Sequence, residues 1–306
     1  MARRVKDEEY VIMPNQLGID YFDFEDAYGE QKEFMCSKGL KELMEKFHMN
    51  LNLGEKFNPR LAFGSHSDSD HVYNTPRAWF MARYFNPRTY KWEGDDPDYG
   101  PESDDIPWSL VPEHKITIEE VKYILSSYFQ GTPYNPYSAK DNPLKGKYRS
   151  IGINRTDVMA ILQIRGYLPK EIQAVEWICF GSNAFNAAMP LYTLVEKMPD
   201  YVSQTSEKVD SGNFYWASRL IGALADAHYA TAIQLVERYQ KATAAKGHEL
   251  LNRFDAEMIA AKSFEKKEAY NEEMAKAFQE LTNEGLKNVL MDAMAHMKNG
   301  YNRADN

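Results

Sequence analysis

Only two cysteines, Cys36 and Cys179, occur in 306 residues. A disulfide framework is therefore excluded, and the reducing cytoplasm is the expected setting. Cys179 falls inside an apolar run and reads as a buried, inert thiol. A positive charge balance is also lacking. The formal net charge is −9, and the basic residues are dispersed, with no patch to hold a phosphate backbone, which argues against nucleic acid as a partner. Long apolar runs are missing too. The most apolar helical stretch, Leu220 to Val236, carries Asp226 and His228 and is too short and too polar to cross a bilayer. Met1 leads through Ala2-Arg3-Arg4 straight into charged residues, without the apolar core of a secretion signal. There is no Gly-x-x-x-x-Gly-Lys-Ser/Thr, no Gly-x-Ser-x-Gly, no His-Glu-x-x-His and no cysteine cluster, so phosphate-loop, α/β-hydrolase and zincin readings fail for want of their motifs.

What is present belongs to an ordinary globular protein. The chain is long enough to bury about three-quarters of the surface its unfolded form exposes, so a full core needs neither metal nor disulfide. Strand patterning and turn chemistry coincide between Tyr148 and Tyr192. Tyr148 to Ile153, Val158 to Ile164 and Gln173 to Phe180 are rich in Ile, Val, Leu and aromatic residues. The turn formers Asn154 to Asp157 and Gly166 to Lys170 separate them, which predicts an antiparallel meander. The apolar alternation is loose, and a sheet covered on both faces is expected.

Upstream, Glu9 to Met13 reads as a short strand stopped by Pro14-Asn15-Gln16-Leu17-Gly18. An Asn at a strand end either closes a local turn or aims its amide into a cleft. Ser37 stands before Leu40, Leu43, Met44 and Phe47 as the N-cap of an amphipathic helix. His66-Ser67-Asp68-Ser69-Asp70-His71 invites a metal reading but lacks helical His spacing and a calcium-loop Gly, and is expected to be a hydrated surface loop. Thr75-Pro76 starts a helix carrying Trp79, Phe80 and Tyr84. Arg77 sits in its first turn, where the helix dipole opposes a cation unless an anion compensates. Glu93 to Asp105, acidic and broken by Gly and Pro, reads as a mobile surface loop. Thr117 with Glu120 forms a capping box for the next helix. Beyond Phe180, the small polar run Gly181-Ser182-Asn183 leaves the end of a strand, where sites are often placed. From Phe214 onward the pattern is helical, with His228 on the apolar stripe as a core histidine.

Spacing alone gives a mixed α and β protein and no reaction. Several segments, however, resemble the dipeptidase A and secernin group of cysteine dipeptidases, which are N-terminal nucleophile hydrolases. They are Val11-Ile12-Met13-Pro14-Asn15-Gln16, Tyr73-Asn74-Thr75-Pro76-Arg77, Gln130-Gly131-Thr132-Pro133-Tyr134, Ile151-Gly152-Ile153-Asn154-Arg155-Thr156, Phe180-Gly181-Ser182-Asn183 and Tyr215-Trp216-Ala217-Ser218-Arg219. They occur in family order, as far as about Tyr239. The resemblance implies an α+β, four-layer αββα sandwich acting on short peptides (dipeptides), with no cofactor and no metal. In such hydrolases an N-terminal Cys thiolate attacks the scissile carbonyl with its own α-amine as base, and two donors hold the oxyanion.

By motif position Asn15 looks like one oxyanion donor and Arg77 like a supporting cation, with Asn154, Ser182 and Asn183 as substrate-binding candidates. The match begins past the family's catalytic cysteine. The resemblance therefore implies that the first strands and the nucleophile are absent, that residues 1–212 form a partial hydrolase domain, and that residues 213–306 form a helical region packed on it. Neither Cys36 nor Cys179 carries a free α-amine, so the chain alone is expected to be inactive. A sheet edge or apolar face left uncovered would be hidden by homo-oligomerisation or by a complementary N-terminal segment. A noncatalytic binding or assembly protein built on the same fold is the alternative.

Overall fold

The computed structural model describes residues 1–49 and 57–297. The chain falls into two compact units, Met1–Thr117 with Phe129–Ser150, and Ile118–Tyr128 with the chain from Ile151 onward. Helices and small antiparallel sheets occur in both, the mixed composition the sequence predicts.

In the first unit β1 (Ala2–Arg3) pairs with β3 (Phe34–Met35), and β2 (Tyr10–Val11) pairs with β4 (Ser109–Leu110). Between β2 and β3, α1 (Phe24–Tyr28) is capped by Asp23, whose carboxylate accepts from the Glu25 and Asp26 amides. The Asp26 carboxylate accepts from the amides of Lys32, Glu33 and Phe34 and so fastens α1 to β3. Phe22, Ala27 and Phe34 form a small core there, with Tyr21, Phe24 and Phe57 packed around it.

Helix α2 (Leu40–Lys46) is capped by Gly39 at φ 75° and not by Ser37 as expected, because the chain turns into the helix through a left-handed residue that glycine takes without strain. The short helices α3 (Pro59–Phe63) and α4 (Asp70–Tyr73) lead into α5 (Thr75–Phe85), which starts where the Thr-Pro signal places it. Trp79, Phe80, Ala82 and Phe85 of α5 are buried.

The second unit contains α6 (Ile118–Leu125), immediately after Thr117, and the three-stranded sheet β5 (Val158–Ile164), β6 (Ala174–Phe180) and β7 (Met189–Tyr192), in that order. The β5–β6 hairpin forms over the expected residues, with Ile161 opposite Trp177. Tyr148 to Ile153 is not the first strand of a meander. Instead the Ile151 and Gly152 amides both donate to the Ser127 carbonyl, at 2.9 and 2.8 Å, and dock the chain on the end of α6. A Cβ at Gly152 would stand 2.4 Å from the Ser126 carbonyl oxygen, so this approach needs glycine. The third strand is Met189–Tyr192.

Its outer edge is closed by Asn271, whose amide accepts from the Tyr192 N–H at 2.9 Å and donates to the Tyr192 carbonyl at 3.0 Å. Pro190 has the same outward parity as Tyr192, so it removes no donor from the ladder. The expectation of a sheet covered on both faces fails at β5. Met159 and Ile161 face the core, whereas Val158, Leu162 and Ile164 are 54, 74 and 69% exposed along the other face.

After α7 (Asp200–Ser203) come α8 (Phe214–Ala227), α9 (Tyr229–Ala261) and α10 (Lys267–Ala295). The single stripe read from the sequence is two helices. His228, half-buried, ends α8 and precedes α9 instead of sitting in the core. Helix α9 packs on the inner face of the sheet, with Trp177 against His248 at 4.8 Å between ring centres. It also carries Asp255, which receives two guanidinium contacts from Arg165 at 2.5 and 3.3 Å and the Tyr192 hydroxyl at 2.7 Å.

Candidate functional site

In the first unit, segments distant in sequence enclose a small pocket of about 40 Å³. The strand end after β2 contributes Ile12, Pro14 and Gln16, and the start of α5 contributes Thr75. Two of the motif segments singled out in the sequence thus meet. The Gln16 side-chain amide reaches the Thr75 hydroxyl at 3.5 Å across 59 residues. The opposite wall comes from Asp104, Ile106 and Trp108, and His66 adds an imidazole.

Arg60 holds this wall together. Its guanidinium donates to the carbonyls of Asp104 and Ile106, each at 2.9 Å, and twice to Gly18 at 2.9 and 3.3 Å. Burial lowers its affinity for the proton, while Asp20, Asp105 and Asp104 act in the opposite sense. The loop that the sequence predicts to be mobile takes no regular structure, yet it is tied at Asp104 and at Glu102, which accepts from the Tyr148 hydroxyl at 2.7 Å.

His66 to Ser69 are exposed, as a surface loop should be, but the end of the run is anchored. Asp70 is 5% exposed and gathers donors from Ser65, Ser67 and Asn74. Burial works against its charge, but these donors outweigh that cost and hold its carboxyl at about 2. With this turn fixed, both imidazoles face one carboxylate: His71 Nε2 lies 3.1 Å and His66 Nδ1 3.4 Å from Asp104 Oδ1. Among the described residues no three His, Cys, Asp or Glu side chains converge as metal ligands.

Asn15 sits exposed in the bend between Pro14 and Gln16, and its side chain does not line the pocket. Arg77 is half-buried and donates to the carbonyls of Arg149 at 3.3 Å and Ser150 at 3.0 Å. Burial, then repulsion from Arg149, push its proton affinity down. The remaining candidates belong to the second unit. Asn154 is exposed before β5, and its backbone carbonyl accepts from Arg219 at 2.7 Å. Ser182 is half-buried and precedes a short 3-10 turn, Asn183–Phe185. Asn183 is 1% exposed and donates to the Leu125 carbonyl at 3.0 Å. Sequence reasoning missed Arg60, Asp104, Gln16 and Trp108 as site components. Beside the motif segments that hold Gln16 and Thr75, only the pair of histidines carried a signal, and their partner Asp104 lay hidden in an acidic run.

The model of peptidase family C69 matches residues 1–242. A dipeptidase of Bifidobacterium longum is 43% identical over 349 aligned residues, covering 100% of this chain and 66% of that protein. A probable dipeptidase A of Streptococcus pyogenes is 42% identical over 307 residues, covering 100% of this chain and 62% of its own length. Dipeptidase A of Lactobacillus helveticus is 37% identical over 261 residues, with 84% and 52% covered. The chain spans less than two thirds of the length of each of these relatives. The family model over residues 1–242 and this similarity along the whole chain show that the protein belongs to peptidase family C69.

Proposed function

We propose that the protein hydrolyses dipeptides and that this chain supplies a substrate pocket and part of the oxyanion-stabilising machinery. The observation that carries the reading is the meeting of Val11 to Gln16 with Tyr73 to Arg77 at the pocket. In the proposed reaction a cysteine thiolate at an amino terminus attacks the scissile carbonyl, its α-amine takes the thiol proton, and the same ammonium protonates the leaving amine. By motif position the proposal gives the developing oxyanion to the Asn15 amide, which stands in the exposed bend beside the pocket and would have to turn toward a bound carbonyl. Arg77 acts through the 149–150 backbone that it holds. By motif position alone, Asn154, Ser182 and Asn183 stay in the proposal as substrate-binding candidates.

Neither cysteine of this chain suits the attack. Cys179 is fully buried and burial pushes its thiol up to about 11, and Cys36 has no free α-amine. The proposal therefore places the thiolate on residues other than these 306, which by themselves are expected to be inactive. A four-layer αββα arrangement is part of the same proposal. It is supported by the antiparallel β5–β6–β7 sheet with helix on its inner face and the exposed apolar row on β5, a row that a second sheet or a further copy of the chain would cover. Two free cysteines support a cytoplasmic setting.

The test is co-production of this chain with the part of the Bifidobacterium longum relative that it does not span, followed by a dipeptide cleavage assay. Activity is expected only with the complement, and Asn15→Ala is expected to lower kcat about a hundredfold, the cost of one oxyanion donor. Hydrolysis by the isolated chain, or a complemented protein indifferent to Asn15→Ala, sinks the assignment.

A further inference from the structure

The wall of the first-unit pocket has an uneven polar inventory. Its one cation, Arg60, has spent four of its five guanidinium hydrogens on the carbonyls of Gly18, Asp104 and Ile106. The acceptors stay open. The Asp104 side chain is 35% exposed, and its partners are imidazoles. An ionised carboxylate only accepts, so His66 Nδ1 carries the proton when the ring is neutral, leaving His66 Nε2 as an acceptor. Gln16 commits its amide N–H to Thr75, which leaves its carbonyl oxygen as a third acceptor at the same wall.

Charge runs the same way. Asp20, Asp104 and Asp105 act on Arg60, and Arg3 pairs with Asp20 at 3.1 Å and with Glu33 at 3.4 Å, so four acids face two arginines and leave an acidic surplus. The pocket is small and polar atoms share its lining, which suits a compact donor.

We propose that this pocket binds a primary ammonium group, the free amino terminus of a dipeptide, with Asp104 as its counter-charge and the Gln16 carbonyl and His66 Nε2 as neutral acceptors. An ammonium is all donor and is met by these three acceptors. Trp108 and Ile12 supply the apolar flank for the adjoining Cα. Identifying the ammonium with a peptide's amino terminus rests on the dipeptide reading above; selectivity for an ammonium does not.

Calorimetric titration of the 306-residue chain with L-alaninamide, and with N-acetyl-L-alaninamide as the uncharged twin, tests the inference at neutral pH. Alaninamide is expected to bind and its acetylated twin to bind at least about tenfold more weakly, the scale of one charge-assisted contact. Asp104→Asn is expected to weaken alaninamide about tenfold and leave the twin unchanged. Gln16→Met removes one acceptor without touching the His–Asp array, and is expected to weaken alaninamide about threefold, one neutral hydrogen bond.

Equal affinity for the twins, no binding of either, or unaltered alaninamide affinity in a folded Asp104→Asn protein overturns the proposal. If Asp104→Asn does not fold, an unaltered Gln16→Met affinity does so. The two readings fail separately. Alaninamide binding without dipeptide turnover in the complemented protein sinks the hydrolase reading and spares the pocket. Equal turnover of free and N-acetylated dipeptides does the reverse.

Discussion

Replacing Arg60 probes the pocket most directly, because one side chain bridges the Gly18 bend and the Asp104–Ile106 wall. Methionine keeps the aliphatic stem and removes every donor, stranding three carbonyl oxygens that now accept at 2.9 to 3.3 Å. A carbonyl deprived of such a donor costs about 1–3 kcal/mol, and because Arg60 is only half-buried the lower figure applies, giving about 3 kcal/mol for Arg60→Met. Lysine keeps the charge but lacks the planar fork and reaches one carbonyl at a time, so Arg60→Lys is expected to cost about 2 kcal/mol.

The loss is local and is best read by hydrogen exchange. Amides of residues 16–20 and 104–108 should exchange about a hundredfold faster in Arg60→Met, while those of β6 keep their protection. If exchange in both segments stays within about threefold of the parent, or if lysine substitutes without cost, Arg60 is not the clamp described.

Three further outcomes follow from the same contacts. The Asp70 carboxyl is held at about 2 against an ordinary 3.8, so its stabilisation is full above the ordinary value and lost as pH falls through about 2. Asp70→Asn should therefore be about 2 kcal/mol less stable at neutral pH, and urea midpoints of the two proteins should converge in acid. Asp255→Asn leaves the Arg165 guanidinium, 5% exposed, without its counter-charge. It should cost about 3–5 kcal/mol, whereas the double change Arg165→Met with Asp255→Leu should cost clearly less than its single changes added; strict additivity in denaturant melts would dissolve the pair. A thiol reagent applied to the folded protein should modify Cys36 and spare Cys179 until denaturant is added, as peptide mass spectrometry would show, because Cys179 is fully buried with its thiol pushed up to about 11.

The sequence made the local elements legible where a period or a cap determines them. Val158–Ile164 and Ala174–Phe180 were readable from apolar content and the turn formers between them, and α5 from Thr75-Pro76. It misled where tertiary contacts override local pattern. Tyr148 to Ile153 has strand composition, but its amides find the Ser127 carbonyl before any neighbouring strand. His66 to Ser69 do face solvent as their composition suggests, but that the distant Asp104 gathers both imidazoles of the run was not readable. Of the pocket, the motif residues around Asn15 and Thr75 stood out, whereas Arg60 is one arginine among many until its three carbonyls are seen. No period or spacing encodes a contact between residues 60 and 106.

The path of the chain between the units has a bearing on how the protein is made. Residues 118–128 leave the first unit to join the second, and 129–150 return before the chain finally crosses over at Ile151. No single cut can release either unit whole: a nick at 117 strips the first of its closing segment, and one at 150 strips the second of α6. On the ribosome the first unit stays unfinished until position 150 has emerged, while α6, already synthesised, must wait for the β5–β6 hairpin it is to join. Maturation of the two halves is thus interlocked by chain order alone, and a bisected version would have to be rejoined by permutation, not by simple truncation.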